Sequence, residues 1–159
     1  MKPIIKDIDK CKHPNSRKTV ALARKMKKVR AKEENKLGKY IKQNVIGEKV
    51  MWFKENYPDS DRPLTMEQIR ELISKYLSRF DEELSQINYK NSIGGKRNRQ
   101  HTSRESAIQM TLEKELEEYR TCGLEIPDLA NTSQVNLLKS WNGELRFLTN
   151  FKFKRIVSN

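Results

Sequence analysis

The chain has 159 residues, 35% of them hydrophobic, and a net charge of +12. A typical globular domain is roughly 45–50% apolar, so one modest core with extensions outside it is expected. No stretch approaches the roughly 20 apolar residues of a membrane span, and the two cysteines, Cys11 and Cys122, sit far apart in sequence.

The charge is uneven. Residues 1–49 hold 16 Lys/Arg against 5 Asp/Glu, a net of +11, so the rest of the chain is close to neutral. Folding does not require such asymmetry. Binding to a polyanion does, because phosphate neutralisation with counterion release drives nucleic-acid association.

Residues 1–14 read as extended or unstructured, with Pro3 and Pro14 blocking helix. They hold no apolar run of signal-peptide length, so the expected compartment is the cytosol or nucleus. Cys11 and Cys122 are then expected as free thiols. At His13-Pro14-Asn15-Ser16-Arg17-Lys18 a helix should begin, with Asn15 or Ser16 as its cap. The helical pattern runs from Arg17 to about Tyr57, with a bend conceivable at Gly38. In residues 17–36, Leu22, Met26 and Val29 form a thin apolar stripe opposite Arg17, Arg24, Lys25, Lys28 and Lys32. From residue 37 there are two stripes: Leu37, Ile41, Val45 and Trp52, then Ile46, Val50, Phe53 and Tyr57. A helix apolar on two sides has neighbours on both, so the core is expected to start near residue 37.

Pro58–Pro63 is a turn. Thr65-Met66-Glu67-Gln68 is a capping box. It opens a single helix to about Asn91, with Met66, Ile69, Ile73, Tyr76 or Leu77, Phe80, Leu84 and Ile87 on one face. Residues 92–101 form a basic loop. A second capping box, Thr102-Ser103-Arg104-Glu105, starts a helix that should stop at Gly123 with a left-handed cap. Pro127 keeps residues 124–129 extended. A short helix, about Ser133–Trp141, ends at Asn142-Gly143, and the tail from Phe151 to Val157 is extended, as a strand or a clamp. One strand cannot make a sheet alone. The expected class is therefore all-α: an elongated N-terminal basic helix joined to a compact helical module with an extended C-terminal tail. The expected division is 1–36 and 37–157. Trp52 and Phe80 are expected to be largely buried between helices. With Phe53, Tyr76 and Tyr119 they read as core aromatics, not base-stacking platforms.

Catalysis has little support. The two histidines, His13 and His101, lie in an arm and a Gly-rich loop, which do not fix a nucleophile against a base. Cys11 and His13 resemble half a metal site, but no second ligand pair follows at a zinc spacing. Gly94-Gly95-Lys96-Arg97 lacks P-loop spacing and follows no strand. Neither metal nor cofactor is expected. The basic run is different. No acid lies between Asp9 and Glu33, so the cations repel one another unless a polyanion meets them. The candidate RNA contacts are Lys12, His13, Arg17, Lys18, Arg24, Lys25, Lys27, Lys28, Arg30 and Lys32. Lys96, Arg97, Arg99 and Arg104 join them from the loop and its flank. The same run would serve as a nuclear import signal.

Several segments carry a family resemblance: His13 through Lys18, Gly47-Glu48-Lys49-Val50-Met51-Trp52-Phe53, and Tyr76 through Leu84. Gly123 through Leu129 and Leu138-Lys139-Ser140-Trp141 add to it. Together, in matching order over residues 12–157, they resemble the translation machinery-associated protein sixteen family. The resemblance implies a non-enzymatic helical factor bound to precursors of the large ribosomal subunit in the nucleus, in nucleolus or nucleoplasm, with some in the cytoplasm. The implied partners are rRNA of that particle, ribosomal proteins and other assembly factors. A membrane partner is not expected, and the chain would be a monomer within the particle. The main rival is an adaptor that binds an acidic protein through the arm; a second, an RNA-modifying enzyme, is disfavoured because no catalytic constellation is present.

Overall fold

The structure is a computed structural model that describes residues 13, 16–58, 62–93 and 102–158. Its compact units divide between Ile46 and Gly47. Helix α1 runs Arg17–Glu55, 39 residues. The helix continues without interruption through Gly38. Ser16 caps it: the Thr19 amide donates to Ser16 Oγ at 3.2 Å. Asn15, the other candidate cap, lies outside the described residues, as do residues 59–61 of the Pro58–Pro63 turn.

The second unit is built on the last turns of α1. Helices α2 (Met66–Leu77), α3 (Asp81–Ile93) and α4 (Thr102–Arg120) follow, then strand β1 (Leu124–Pro127) and helix α5 (Thr132–Ser140). A 3-10 helix over Leu145–Asn150 leads into strand β2 (Phe153–Ile156). Thr65 caps α2 with the reciprocal Gln68 bond of a capping box, as its spacing predicts. Gly123 and Gly143 both take positive φ, at 89° and 88°. The first ends α4 as expected, and an added Cβ there would lie 3.1 Å from the Ile156 amide nitrogen.

The buried cluster unites Val50 and Phe53 of α1 with Ile69, Leu72, Ile73 and Tyr76 of α2. Leu124, Ile126, Leu138, Trp141, Phe151 and Ile156 close it. Phe53 and Tyr76 stack at 5.3 Å between ring centroids. Gln134, the buried polar side chain among the described residues, is satisfied because its Oε1 accepts from the Lys152 amide at 2.9 Å.

Four expectations need correction or completion. The single helix from Thr65 to Asn91 is two helices, because the chain turns at Ser78–Phe80. The turn is held by Arg79, whose amide and guanidinium both donate to the Tyr76 carbonyl. Asp81, Glu82 and Glu83 then occupy the first turn of α3, where the helix dipole favours acids. Second, Trp52 and Phe80 are half-buried. The fully enclosed aromatics are their neighbours Phe53 and Tyr76, at 0% and 3% exposure. Third, the core does not start near residue 37: Leu37, Ile41 and Val45 are exposed, and burial starts at Gly47. Fourth, the tail strand has a partner. β2 pairs antiparallel with β1, Leu124 opposite Ile156 and Pro127 opposite Phe153. The fold remains mostly helical, with this one small sheet among the described residues.

Candidate nucleic-acid interface

Helix α1 begins as a cation-presenting rod. Its first turn contains no acid. Ser16 and Thr19 hydroxyls lie 2.8 Å apart, and Thr19 Oγ1 donates to the His13 carbonyl at 2.7 Å. This ties exposed His13 to the helix start. Free amide dipoles at that end attract anions, and Arg17 and Lys18 add full charges beside them.

Every candidate cation on α1 is exposed: Arg17, Lys18, Arg24, Lys25, Lys27, Lys28, Arg30 and Lys32. Helical spacing sorts them. Arg17, Arg24, Lys28 and Lys32 follow one another by seven, four and four residues, so they lie along one face. Lys18 and Lys25 flank that face one position on. From Arg17 to Lys32 it extends about 22 Å at 1.5 Å per residue. Lys27 and Arg30 point elsewhere, and Arg30 Nε sits 3.6 Å from Glu34 in a pair open to water. Such pairs contribute little.

Arg104 belongs to the second unit. It forks onto Glu83 at 2.7 and 3.0 Å, holding α4 to α3. The same bonds lower the Glu83 pKa and raise that of Arg104. Lys12, Lys96, Arg97 and Arg99 lie outside the described residues. So does Cys11, whereas Cys122 is a free, exposed thiol. Among the described residues no group of His, Cys, Asp and Glu gathers to hold a metal, and no helix is long and apolar enough to cross a membrane.

Lys36, Lys39 and Lys42, absent from the sequence-derived candidates, are also exposed on α1. The signal was available: residues 35–47 contain no acid either. Lys49 behaves differently. Its Nζ donates to the Glu125 carbonyl at 3.3 Å and lies 5.7 Å over the Tyr76 ring. Burial lowers its pKa, against the raising pull of Glu115 and Glu118.

Comparison with known proteins agrees with the resemblance. A family model described as Translation machinery-associated protein 16 matches residues 8–158. The Drosophila melanogaster Translation machinery-associated protein 16 homolog is 43% identical over 155 residues, 97% of this chain and 86% of its own. The Bos taurus protein of that name is 39% identical over 147 residues, 92% and 72% of the two chains. The Saccharomyces cerevisiae protein is 30% identical over 87 residues, 55% and 46%. The match takes in the basic helix, the aromatic core and the last strand alike, and the chain belongs to the translation machinery-associated protein 16 family.

Proposed function

We propose that this chain is a non-enzymatic ribosome biogenesis factor that binds precursor large ribosomal subunits through rRNA phosphates met by the basic face of α1. The observation that carries this reading is a face of Arg17, Arg24, Lys28 and Lys32 that is exposed and lies in a stretch with no acid from Lys10 to Lys32. Cations arranged this way repel one another in the free chain and are relieved by phosphates. Helical RNA offers a deep, narrow major groove that side chains cannot read, so recognition runs through backbone and shape.

The mechanism is occupancy. The second unit docks on the particle beside ribosomal proteins and other assembly factors, and the rod shields an immature rRNA site until release. The factor acts in the nucleus as a monomer within the particle, with the basic run doubling as its import signal. Membership of a translation machinery-associated family supports the setting.

Ultraviolet crosslinking in cells, with sequencing of the attached RNA, tests this. Precursor large-subunit rRNA attached to peptides from residues 17–32 is the expected result. Adducts from that stretch to an acidic protein, with no rRNA, would replace the reading with the adaptor alternative.

A further inference from the structure

Beyond its basic face, α1 carries an apolar stripe that is more than half exposed. Leu37, Tyr40, Ile41 and Val45 are 59%, 58%, 53% and 58% exposed. Their spacing of three, one and four residues puts all of them on one side of the helix. The same residue types on the core face of α2, Ile69 and Ile73, are 1% and 0% exposed. Scattered exposed apolar residues need no explanation, but a contiguous row of large ones marks an interaction surface. Gly38 shares this face, three residues before Ile41 and seven before Val45. A Cβ there would meet nothing within 4 Å. Glycine in a helix interior costs about 1 kcal/mol relative to alanine, and packing does not demand it here. What it provides is bare backbone that another helix can approach closely.

We propose that this stripe docks an acidic amphipathic helix of a protein partner. RNA phosphates gain nothing from burying leucine, isoleucine and valine, so the occupant must itself be apolar along its contact. The flanks define its charge. Lys36 borders Tyr40 one turn away, Lys42 borders Val45 on the other side, and no acid falls between Asn35 and Gly47. A partner helix with an apolar seam edged by Asp or Glu meets cations along both edges, as partner selection in helix pairs requires. A second copy of this chain would set lysine against lysine, a juxtaposition that opposes association. This proposal does not depend on the RNA reading, which concerns the other face.

The test replaces Ile41 in the full chain with benzoylphenylalanine, irradiates cells, and identifies the adducts by mass spectrometry. The same amino acid at Glu67, exposed on α2, is the background control. The expected adduct is a peptide of net negative charge with apolar residues at three- and four-residue spacings. Changing Lys36 and Lys42 together to Glu should cut its yield by about tenfold through like-charge repulsion. The helix signal in circular dichroism and the salt dependence of RNA binding should stay within error for the Leu37→Ser variant, whose adduct yield also falls. Adducts to RNA, to lipid or to a second copy would overturn the proposal. So would a partner peptide without acids, or a yield no higher than at position 67.

Discussion

Arg79 grips Glu115 with two nitrogens, at 2.7 and 3.1 Å, while its guanidinium lies 3.8 Å over the Tyr76 ring. Both charged side chains are nearly enclosed, at 13% and 12% exposure. The pair joins the turn after α2 to α4. Desolvation makes such pairs doubtful as net stabilisers, yet removing one partner strands the other charge. Arg79→Ala should therefore destabilise by about 3–5 kcal/mol. Glu115→Gln should cost less, because an amide needs less compensation than a carboxylate. Urea melts of the single and double variants check this, and the double variant should be less destabilised than the sum.

Tyr76 adds a pH dependence. Its hydroxyl donates to Glu115 at 2.6 Å. Burial raises its pKa far above the ordinary tyrosine value, and the Glu115 hydrogen bond raises it further. The folded protein holds the phenol proton more tightly than the unfolded chain does. That contribution is fully present below pH ~10 and is lost as pH climbs beyond it. Lys49 acts with the opposite sign, since its lowered pKa makes stability rise with pH towards the ordinary lysine value. Lys49 is present in both wild type and Tyr76→Phe, so their difference isolates the phenol. At neutral pH Tyr76→Phe should be about 1.5 kcal/mol less stable. Melts above pH ~10 should show that gap shrinking.

The two helical glycines of α1 should respond unequally to alanine. Gly38 has open space around it, so Gly38→Ala should stabilise the local helix by about 1 kcal/mol and slow amide exchange nearby. At Gly47 an added Cβ would lie 2.7 Å from Leu145 Cδ2. That atom is the far end of a half-buried side chain that can turn aside, so Gly47→Ala should gain less than Gly38→Ala, by the cost of moving it. A double-mutant cycle with Leu145→Ala measures that cost.

These contrasts show which parts of the fold were legible in the sequence. Thr65 with Gln68, and the glycines at 123 and 143, follow local backbone rules, so their reading held. The break at Ser78–Phe80 was hidden because Tyr76, Phe80, Leu84 and Ile87 keep helical spacing across it. Its signal was the acid triplet Asp81-Glu82-Glu83, which reads as a helix start once periodicity is set aside. The pairing of β1 with β2 joins four-residue segments far apart in sequence, and local patterns carry no register. The stripe at Leu37 and Ile41 was legible as apolar, but a pattern cannot say whether this chain or another covers it. The basic face was the easiest to read, because a missing acid is visible without a structure.

The exposure of α1 upstream of Gly47 also predicts what can be removed. The buried cluster starts at Val50 and draws on residues from there to Ile156. Deleting residues 1–36 should leave a module that unfolds cooperatively, with a melting temperature close to that of the full chain. Circular dichroism with thermal melting measures this. Loss of a cooperative transition would mean that the upstream helix is needed for the core to form.

The last prediction concerns the arm with its phosphates. If Arg17, Arg24, Lys28 and Lys32 each neutralise one phosphate, affinity for rRNA must fall with salt. Each contact contributes a log–log slope of about −0.7 to −0.9. Neutralising these four should therefore flatten the slope by about 3 units. The change should leave the melting temperature unmoved, because all four are exposed. Neutralising Lys27 and Arg30 instead, which point away from that face, should change the slope less than any matched pair from it. Sucrose gradients extend the test to the particle. The fourfold variant should leave the fractions of precursor large subunits, provided it carries an independent import signal, since the same cations direct nuclear entry in this reading. A variant that is imported, keeps its slope and still sediments with the precursors would show that the α1 cations do not meet RNA. Binding would then rest on the second unit or on the apolar stripe. The crosslink at position 41 separates those two, because only the stripe would give an acidic adduct there.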